Sequence, residues 1–557
     1  MEKIAVLSIF FGVLIFILFR GKVEEKKREE KIQKKLKENF GKANERAWKE
    51  QEIERISHYC KDKVTEDFID DITWNDLDMD LIYQQIAYTQ SSLGDDFLYY
   101  MLRNPVKDEE ILSDREKKIC SLSQQPEFRR KIQVLCARIG KIRDYSFSDY
   151  ISCLMEEQPR SNRKHYLMDI LIVLSVCLMI YNTGIGMVVF FFLILYNILM
   201  YFKDKAYLEP YLLSLRYLFK IMDYGKEITD CLPKAWEKEQ EESKKILASM
   251  NKIRRNSYLV MSPGRLGGEG LELILDYLRM CLHLDIIKFN NMLLQLQNYE
   301  HEIWKLYEII GGVDACAAIV CYRAYLKESC IPKFRKVPGI IMEQGYHPMI
   351  EHPVANSLDM KKNILLTGSN ASGKSTFLKT MGINILLAQT IHTCCAKSFQ
   401  MPICRLYTSM SLKDSIALKE SYYMAEIKAM KRILDGAEGD SMVVCMVDEV
   451  LRGTNTVERI AASTQILKSM AKKNVLCMAA THDGELTKTL EQEYDNYHFE
   501  ESVEQTDVKF SYILKRGRAE SCNAITLLEH LGYHEQLVDQ ARKMVTHFKE
   551  KGEWICV

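Results

Sequence analysis

The chain has 557 residues with 76 basic and 76 acidic side chains, so its formal net charge is zero. That balance excludes a surface that is basic throughout, and leaves only a local basic face open to nucleic acid. The length suffices for about three or four domains, and with 47% hydrophobic and 27% charged residues most of the chain can fold around ordinary cores. The 17 cysteines are scattered and odd in number, with Cys394-Cys395, Cys445 and Cys477 in apolar or mixed runs. This pattern predicts buried thiols in a reducing compartment and argues against a disulfide framework.

Ile4 to Phe19 is an uninterrupted run of apolar and small residues. Only Lys3 is basic before it and no small-residue cleavage site follows, so residues 1–20 are expected to be an uncleaved transmembrane anchor, with a cleaved signal as the alternative. The Lys/Arg-dense stretch from Arg20 to Lys37 marks the following side as cytoplasmic. Residues 21–57 are rich in Lys, Glu and Gln without a strong apolar stripe, which predicts a solvated basic juxtamembrane helix able to rest on anionic lipid.

Residues 58–165 read as helices. Thr73-Trp74-Asn75-Asp76-Leu77-Asp78-Met79-Asp80 is a helix entry with capping acids, and Ser91-Ser92-Leu93-Gly94 leads into the apolar stripe Phe97, Leu98, Met101, Leu102. Asn104-Pro105 ends that helix. A second apolar region, 166–202, is broken at Asn182-Thr183-Gly184 into two arms of roughly 17 to 18 residues, the lower end of a bilayer-spanning length. Arg160, Arg163 and Lys164 precede it, and Lys203 and Lys205 follow it, so both ends are placed in the cytoplasm and the region is a transmembrane hairpin. Asp169 falls near its cytoplasmic edge. The alternative is a buried helical pair, but Val188 to Leu195 is too uniformly apolar for a half-exposed helix. The expected topology is three spans in the cell membrane, with 21–165 and 203–557 cytoplasmic. Residues 203–335 are again helical in pattern, including Leu271 to Leu284 and Ile286 to Leu296, with Pro332 and Pro338 closing the region.

The sharpest signal follows within 336–557. Gly368-Ser369-Asn370-Ala371-Ser372-Gly373-Lys374-Ser375 fits G-x-x-x-x-G-K-[ST], between the apolar strand Asn363-Ile364-Leu365-Leu366 and a helix from Thr376 onward. Glycines let the backbone N–H groups curl toward phosphate oxygens, and the helix N-terminus adds partial positive charge. Lys374 is expected to reach the β- and γ-phosphates of ATP, and the Ser375 hydroxyl to ligate Mg2+. The apolar run Met442 to Val447 then ends in Asp448-Glu449. Asp448 would hold the magnesium shell, and Glu449 would orient or deprotonate the attacking water. Val475 to Ala480 ends in Thr481-His482, which puts His482 where it can sense the γ-phosphate.

These segments resemble the ATPase domain of the DNA mismatch-repair MutS family. Asp448-Glu449-Val450-Leu451-Arg452-Gly453-Thr454-Asn455-Thr456 resembles its strand-end segment with the R-G-T turn, and Thr481-His482-Asp483-Gly484-Glu485-Leu486 its T-H-x-x-E-L segment. Ser421-Tyr422-Tyr423-Met424-Ala425-Glu426 resembles its signature region, Asn370 the asparagine of its phosphate loop, and His347-Pro348 the pair entering the domain. Phe510 to Gly517, followed by Asn523-Ala524-Ile525, looks like the closing strand and helix. The resemblance implies an α/β P-loop NTPase domain of the ABC/MutS type plus an all-α core and lever region, here with three transmembrane helices. It also implies a homodimer in which Ser421 completes the partner's ATP site, and closure that moves long helices. Upstream, Ser92-Leu93-Gly94, Leu102, Pro105 and Arg115-Glu116 resemble the start of the MutS core, and Leu306 to Pro332 its returning helices.

The chain departs from mismatch-reading members. No segment fits a mismatch-reading domain, an inserted clamp or a nuclease-like tail, and a membrane hairpin is foreign to them. The resemblance therefore implies an ATPase with DNA as one partner. The alternative is a mechanical ATPase acting on a membrane or protein partner. Tyr512 is a candidate for contacting the adenine edge.

Overall fold

The computed structural model describes residues 19–20, 23–61, 63–142, 146–158, 160–251, 253, 277, 280–369, 372–410, 422–451, 454–504, 507–519, 525, 528–529 and 532–555. The run Ile4 to Phe19 therefore lies almost wholly outside the described residues. The chain divides into two compact units, one of residues 1–64, 83–101 and 114–325, the other of residues 65–82, 102–113 and 326–557.

The first unit is helical. Its central helix, Glu300–Tyr325, is buried on every face from Ile309 to Tyr322, which is why its sequence there is apolar and small rather than amphipathic. Two glycines let it cross the helix Ser92–Arg103 closely: a Cβ on Gly311 would stand 2.6 Å from the Leu93 carbonyl oxygen, and one on Gly94 would stand 2.2 Å from Asp314 Oδ2. Asp314 lies beneath the start of that helix and accepts from Gln90 N (3.0 Å), Ser91 N (2.8 Å) and Ser91 Oγ (2.6 Å). The N-terminus of one helix is thus capped by a carboxylate from another.

The basic segment 21–57 differs from a single solvated helix. Residues 23–38 are an exposed helix, whereas 43–49 run without regular structure until the helix Glu50–Lys61. Partly buried polar contacts hold the irregular stretch. Asn44 donates to the carbonyls of Gln84 (2.9 Å) and Ala87 (3.0 Å), and Arg46 donates to Asp95 (2.8 Å) while pairing with Glu52. Lys141 reaches the same Asp95 at 2.9 Å, and these cations hold the Asp95 carboxyl below its usual range against its burial.

The apolar region 166–202 falls in the helices Arg163–Tyr181 and Thr183–Cys231, joined at Asn182, whose side chain accepts from Ile185 N. A Cβ on Gly186 would stand 2.4 Å from the Met179 backbone, so the arms touch at the tip. Both arms are long and apolar enough to cross a bilayer, and only 22% and 17% of their apolar windows are buried. Ile170, Val173, Ile180, Phe191, Phe192 and Leu199 are each more than half exposed. The second arm continues past Phe202 as one unbroken helix of 49 residues, because Lys203, Asp204 and Lys205 are compatible with helix and Asp204 pairs with Lys164 at 2.6 Å.

The second unit is α/β. Its strands are β1 (Lys333–Phe334), β2 (Ile340–Gly345), β3 (Asn356–Met360), β4 (Asn363–Thr367), β5 (Ser398–Met401), β6 (Arg405–Ser409), β7 (Val443–Asp448), β8 (Val475–Ala480), β9 (Tyr494–Glu504) and β10 (Asp507–Arg516). The main sheet has the order β10-β9-β4-β8-β7-β6, parallel throughout except for β9–β10, and a smaller sheet has the order β1-β5-β2-β3. Every residue of β4, β7 and β8 is buried, as parallel strands covered on both faces require. Residues 65–82 belong to this unit: Asp76 Oδ2 accepts from Thr408 Oγ1 (2.7 Å) and Met410 N (2.9 Å) at the end of β6.

Candidate nucleotide site

Sheet register alone brings the three strand-end motifs together. Leu366 on β4 pairs with Ala480 on β8, and Ala480 pairs with Asp448 on β7. The loop after β4, the Asp448-Glu449 step and Thr481-His482 therefore leave the sheet side by side at the carboxyl ends of parallel strands, where open α/β sheets bind ligands.

The loop after β4 turns on two glycines. Gly368 has φ +142° and Gly373 φ +104°, both in the region that L side chains rarely adopt. Gly373 caps the helix Lys374–Thr390, whose first turn begins with Lys374 itself. Lys374 is 3% exposed, and its Nζ donates to the carbonyls of Gly368 and Ser369, each at 2.7 Å. Ser372 Oγ donates to Ser369 O at 2.8 Å, which tightens the loop. Thr376 is exposed at the start of the same helix. Asn370, Ala371 and Ser421 lie outside the described residues, as do Arg452 and Gly453.

Ser375 Oγ donates directly to Asp448 Oδ2. His482 Nε2 stands 2.9 Å from Glu449 Oε1 and 3.2 Å from Lys374 Nζ. Glu449 has φ +56°, and its N–H donates to Ala480 O at 3.0 Å, so the chain turns sharply where the strand ends. The structure thus unites Gly368, Ser369, Ser372, Gly373, Lys374, Ser375, Asp448, Glu449 and His482.

The arrangement fits a magnesium triphosphate. The glycine conformations, the amino end of a 17-residue helix and the buried ammonium of Lys374 form a cradle for phosphate oxygens. Ser375 and Asp448 supply a hydroxyl and a carboxylate to one point, a hard-oxygen pair suited to Mg2+. Among the described residues no group of three or more His, Cys, Asp or Glu side chains could hold a metal by itself, so a divalent ion here would complete its shell with water or phosphate oxygens.

Two features belong to no motif, the first a residue the sequence offers only as a lone candidate for the adenine edge. Tyr512, in a bulge between Phe510 and Leu514, has φ +53° and directs its ring at the phosphate loop: a Cβ on Gly373 would stand 3.1 Å from the Tyr512 ring. Asn356 on β3 fixes that bulge, donating to Tyr512 O (2.9 Å) and accepting from Leu514 N (2.8 Å). The second feature is Arg459, which binds Asp483 through two nitrogens at 3.0 and 2.7 Å and anchors the residue after His482. Its spacing from Asp483 in sequence carries no signal.

Residues 364–549 match the family model for MutS domain V. The chain is 33% identical over 260 residues to the DNA mismatch repair protein MutS of Aquifex pyrophilus, an alignment covering 44% of this chain and 30% of that protein. It is 31% identical over 264 residues to the protein of the same name from Persephonella marina, covering 45% of this chain and 30% of that one. The protein of that name from Natronomonas pharaonis is 33% identical over 220 residues, covering 37% of this chain and 25% of the relative. The chain thus spans less than a third of the length of these relatives.

Proposed function

We propose that this chain is a membrane-anchored MutS-type ATPase. It binds and hydrolyses Mg-ATP at a site completed across a homodimer, and couples the cycle to movement of its long helices. The observation that carries the reading is the convergence of Lys374, Ser375, Asp448, Glu449 and His482 at the register-aligned ends of β4, β7 and β8.

Lys374 and the loop N–H groups bind the β- and γ-phosphates. Ser375 and Asp448 would hold Mg2+, which neutralises charge on the phosphate oxygens when bound. Glu449 accepts the proton of the attacking water, and His482, in contact with both Glu449 and Lys374, positions that carboxylate beside the γ-phosphate. Tyr512, whose ring lies against Gly373 of the loop, contacts the adenine. Ser421 serves the partner's site. The 49-residue helix Thr183–Cys231, about 70 Å long, links the apolar hairpin to the first unit's core and is the element through which movement travels.

For the output, DNA is the first candidate, since the relatives are named for DNA mismatch repair. Binding of duplex and branched DNA at low salt, with and without ATP, tests it; no binding there would remove the DNA role, because phosphate contacts are strongest at low salt. The exposed apolar hairpin favours a second reading, a mechanical ATPase working on a membrane or protein partner. Stimulation of hydrolysis by lipid and not by DNA would select it.

The ATPase itself is tested by Glu449→Gln. The variant should retain ATP binding while turnover falls by about 10²–10⁴, the usual worth of a general base. Unchanged turnover would place the base elsewhere.

A further inference from the structure

We infer that Cys330 and Cys394 form a redox-active dithiol that closes to a disulfide on reaction with a low-molecular-weight disulfide. The two residues face each other in an isolated antiparallel bridge, exchanging both backbone hydrogen bonds: Cys330 N to Cys394 O at 3.0 Å, and Cys394 N to Cys330 O at 2.9 Å. A hydrogen-bonded antiparallel pair holds its Cα atoms about 5.5 Å apart, inside the roughly 4.4–6.8 Å window that a disulfide spans. Both sulfurs are thiols here, and the Cys394 thiol donates to Asn384 O at 3.6 Å.

The pair is asymmetric in a way that suits exchange. Cys330 is partly exposed, in the segment just before β1, while Cys394 is fully buried beyond the helix Lys374–Thr390. The neighbouring Cys394 thiol also holds Cys330 below the usual cysteine value. The accessible, more acidic thiol is the one able to attack. The Cys330 thiolate, having lost its proton to solvent, attacks one sulfur of the small disulfide and expels a thiolate, leaving a mixed disulfide. Cys394 then gives up its proton and attacks the Cys330 sulfur, and a second small thiolate leaves. Both thiolates take up protons; the two protein sulfurs are oxidised together and the small disulfide is reduced to two thiols.

A second facing pair supplies an internal control. Cys445 and Cys477 are register partners on β7 and β8, but both are wholly buried inside the main sheet. Access, not mere proximity, should therefore decide which pair reacts.

The test incubates the full-length protein, in detergent and folded, with oxidised glutathione, followed by acid quench, alkylation and peptide mapping. Expected is a peptide pair joined through Cys330 and Cys394, formed at least about tenfold faster than any change at Cys445 or Cys477 and reversed by excess reduced glutathione. Cys394→Ser should leave Cys330 carrying glutathione, and Cys330→Ser should leave Cys394 alkylatable. Retained ATP binding checks that both variants fold, and the wild-type map stands without them. Glutathione on wild-type Cys330 with Cys394 still alkylatable, a Cys394–Cys395 link, or no change at either position would overturn the inference.

Discussion

Gly368→Ala isolates the demand that the phosphate loop makes on its backbone. At φ +142° an added Cβ would stand 2.7 Å from Ser372 Oγ and 3.1 Å from the Phe499 carbonyl oxygen. The first neighbour can rotate away, at the loss of its hydrogen bond to Ser369 O, worth about 1 kcal/mol. The second is backbone of β9, which is paired with β4 along five residues from Asn363↔Tyr494 to Thr367↔His498 and has little freedom to shift. Adding about 1–3 kcal/mol for the disfavoured conformation gives roughly 2–4 kcal/mol against the loop. If ATP binding needs that loop, affinity falls by about 30- to 1000-fold. The assay is fluorescent-nucleotide titration of the full chain in detergent, with Gly439→Ala as control. Gly439 has φ +105° but nothing within 4 Å of its Cβ, so the control carries backbone strain without crowding the loop. A Gly368→Ala affinity within about threefold of the native chain would refute the reasoning, since 1.4 kcal/mol is already tenfold.

Three further outcomes follow from the same geometry. Gly94→Ala should destabilise the first unit by about 3–5 kcal/mol, because Asp314 must give up hydrogen bonds to Gln90 and Ser91; a double-mutant cycle with Asp314→Ala, followed by thermal unfolding, should show coupling above about 1 kcal/mol. Tyr512→Ala should raise KM for ATP by about 3- to 10-fold while Tyr512→Phe leaves it near native, as expected for a stacking ring rather than a hydroxyl contact; steady-state hydrolysis reads both. His347 is held near pKa about 4 by burial and then by the Lys379 charge. A folded value below the unfolded one of about 6.5 means that the unfolded chain takes up the proton first. Stability is therefore full above pH 6.5 and declines as pH falls toward 4, by at most about 3 kcal/mol. His347→Asn should flatten urea-unfolding stability across that window, and an unaltered slope would assign the loss to other groups.

The candidate nucleotide site was readable because each part sits on a strongly marked element. An apolar run that ends in Gly-x-x-x-x-Gly-Lys-Ser, in Asp-Glu or in Thr-His announces a buried strand with a functional end. What sequence cannot supply is register, and here the pairing of Leu366, Ala480 and Asp448 is the step that turns three separate motifs into one site. Long-range polar contacts were equally hidden. Asp76 looks like a helix-capping acid, yet its carboxylate accepts from Thr408 and Met410, far away in the chain. Arg46 sits in a run of charges that composition assigns to solvent, yet it is partly buried against Asp95 and Glu52. The hairpin was visible from hydropathy, but the continuation of its second arm to Cys231 was not. A cluster of Lys and Asp can mark a helix end, and only the backbone shows that the helix runs on through it.

The end of β7 shows how two adjacent carboxylates come to meet different partners at one site. Successive residues of a strand point to opposite faces, so an extended chain through Asp448 and Glu449 would send one carboxylate away from the site. The chain does not stay extended: Glu449 has φ +56° and Leu451 φ +59°. Left-handed backbone at two non-glycine residues costs about 1–3 kcal/mol each. Val450 and Leu451 offset it by burial in the cluster that includes Val447, Leu467 and Ala479, and Ser463 Oγ donates to Val450 O at 3.1 Å. The result is that Asp448 meets Ser375 on one side while Glu449 meets His482 on the other. The left-handed turn is thus what keeps both carboxylates at the site, Asp448 against Ser375 and Glu449 against His482, and apolar packing behind the turn keeps it in place.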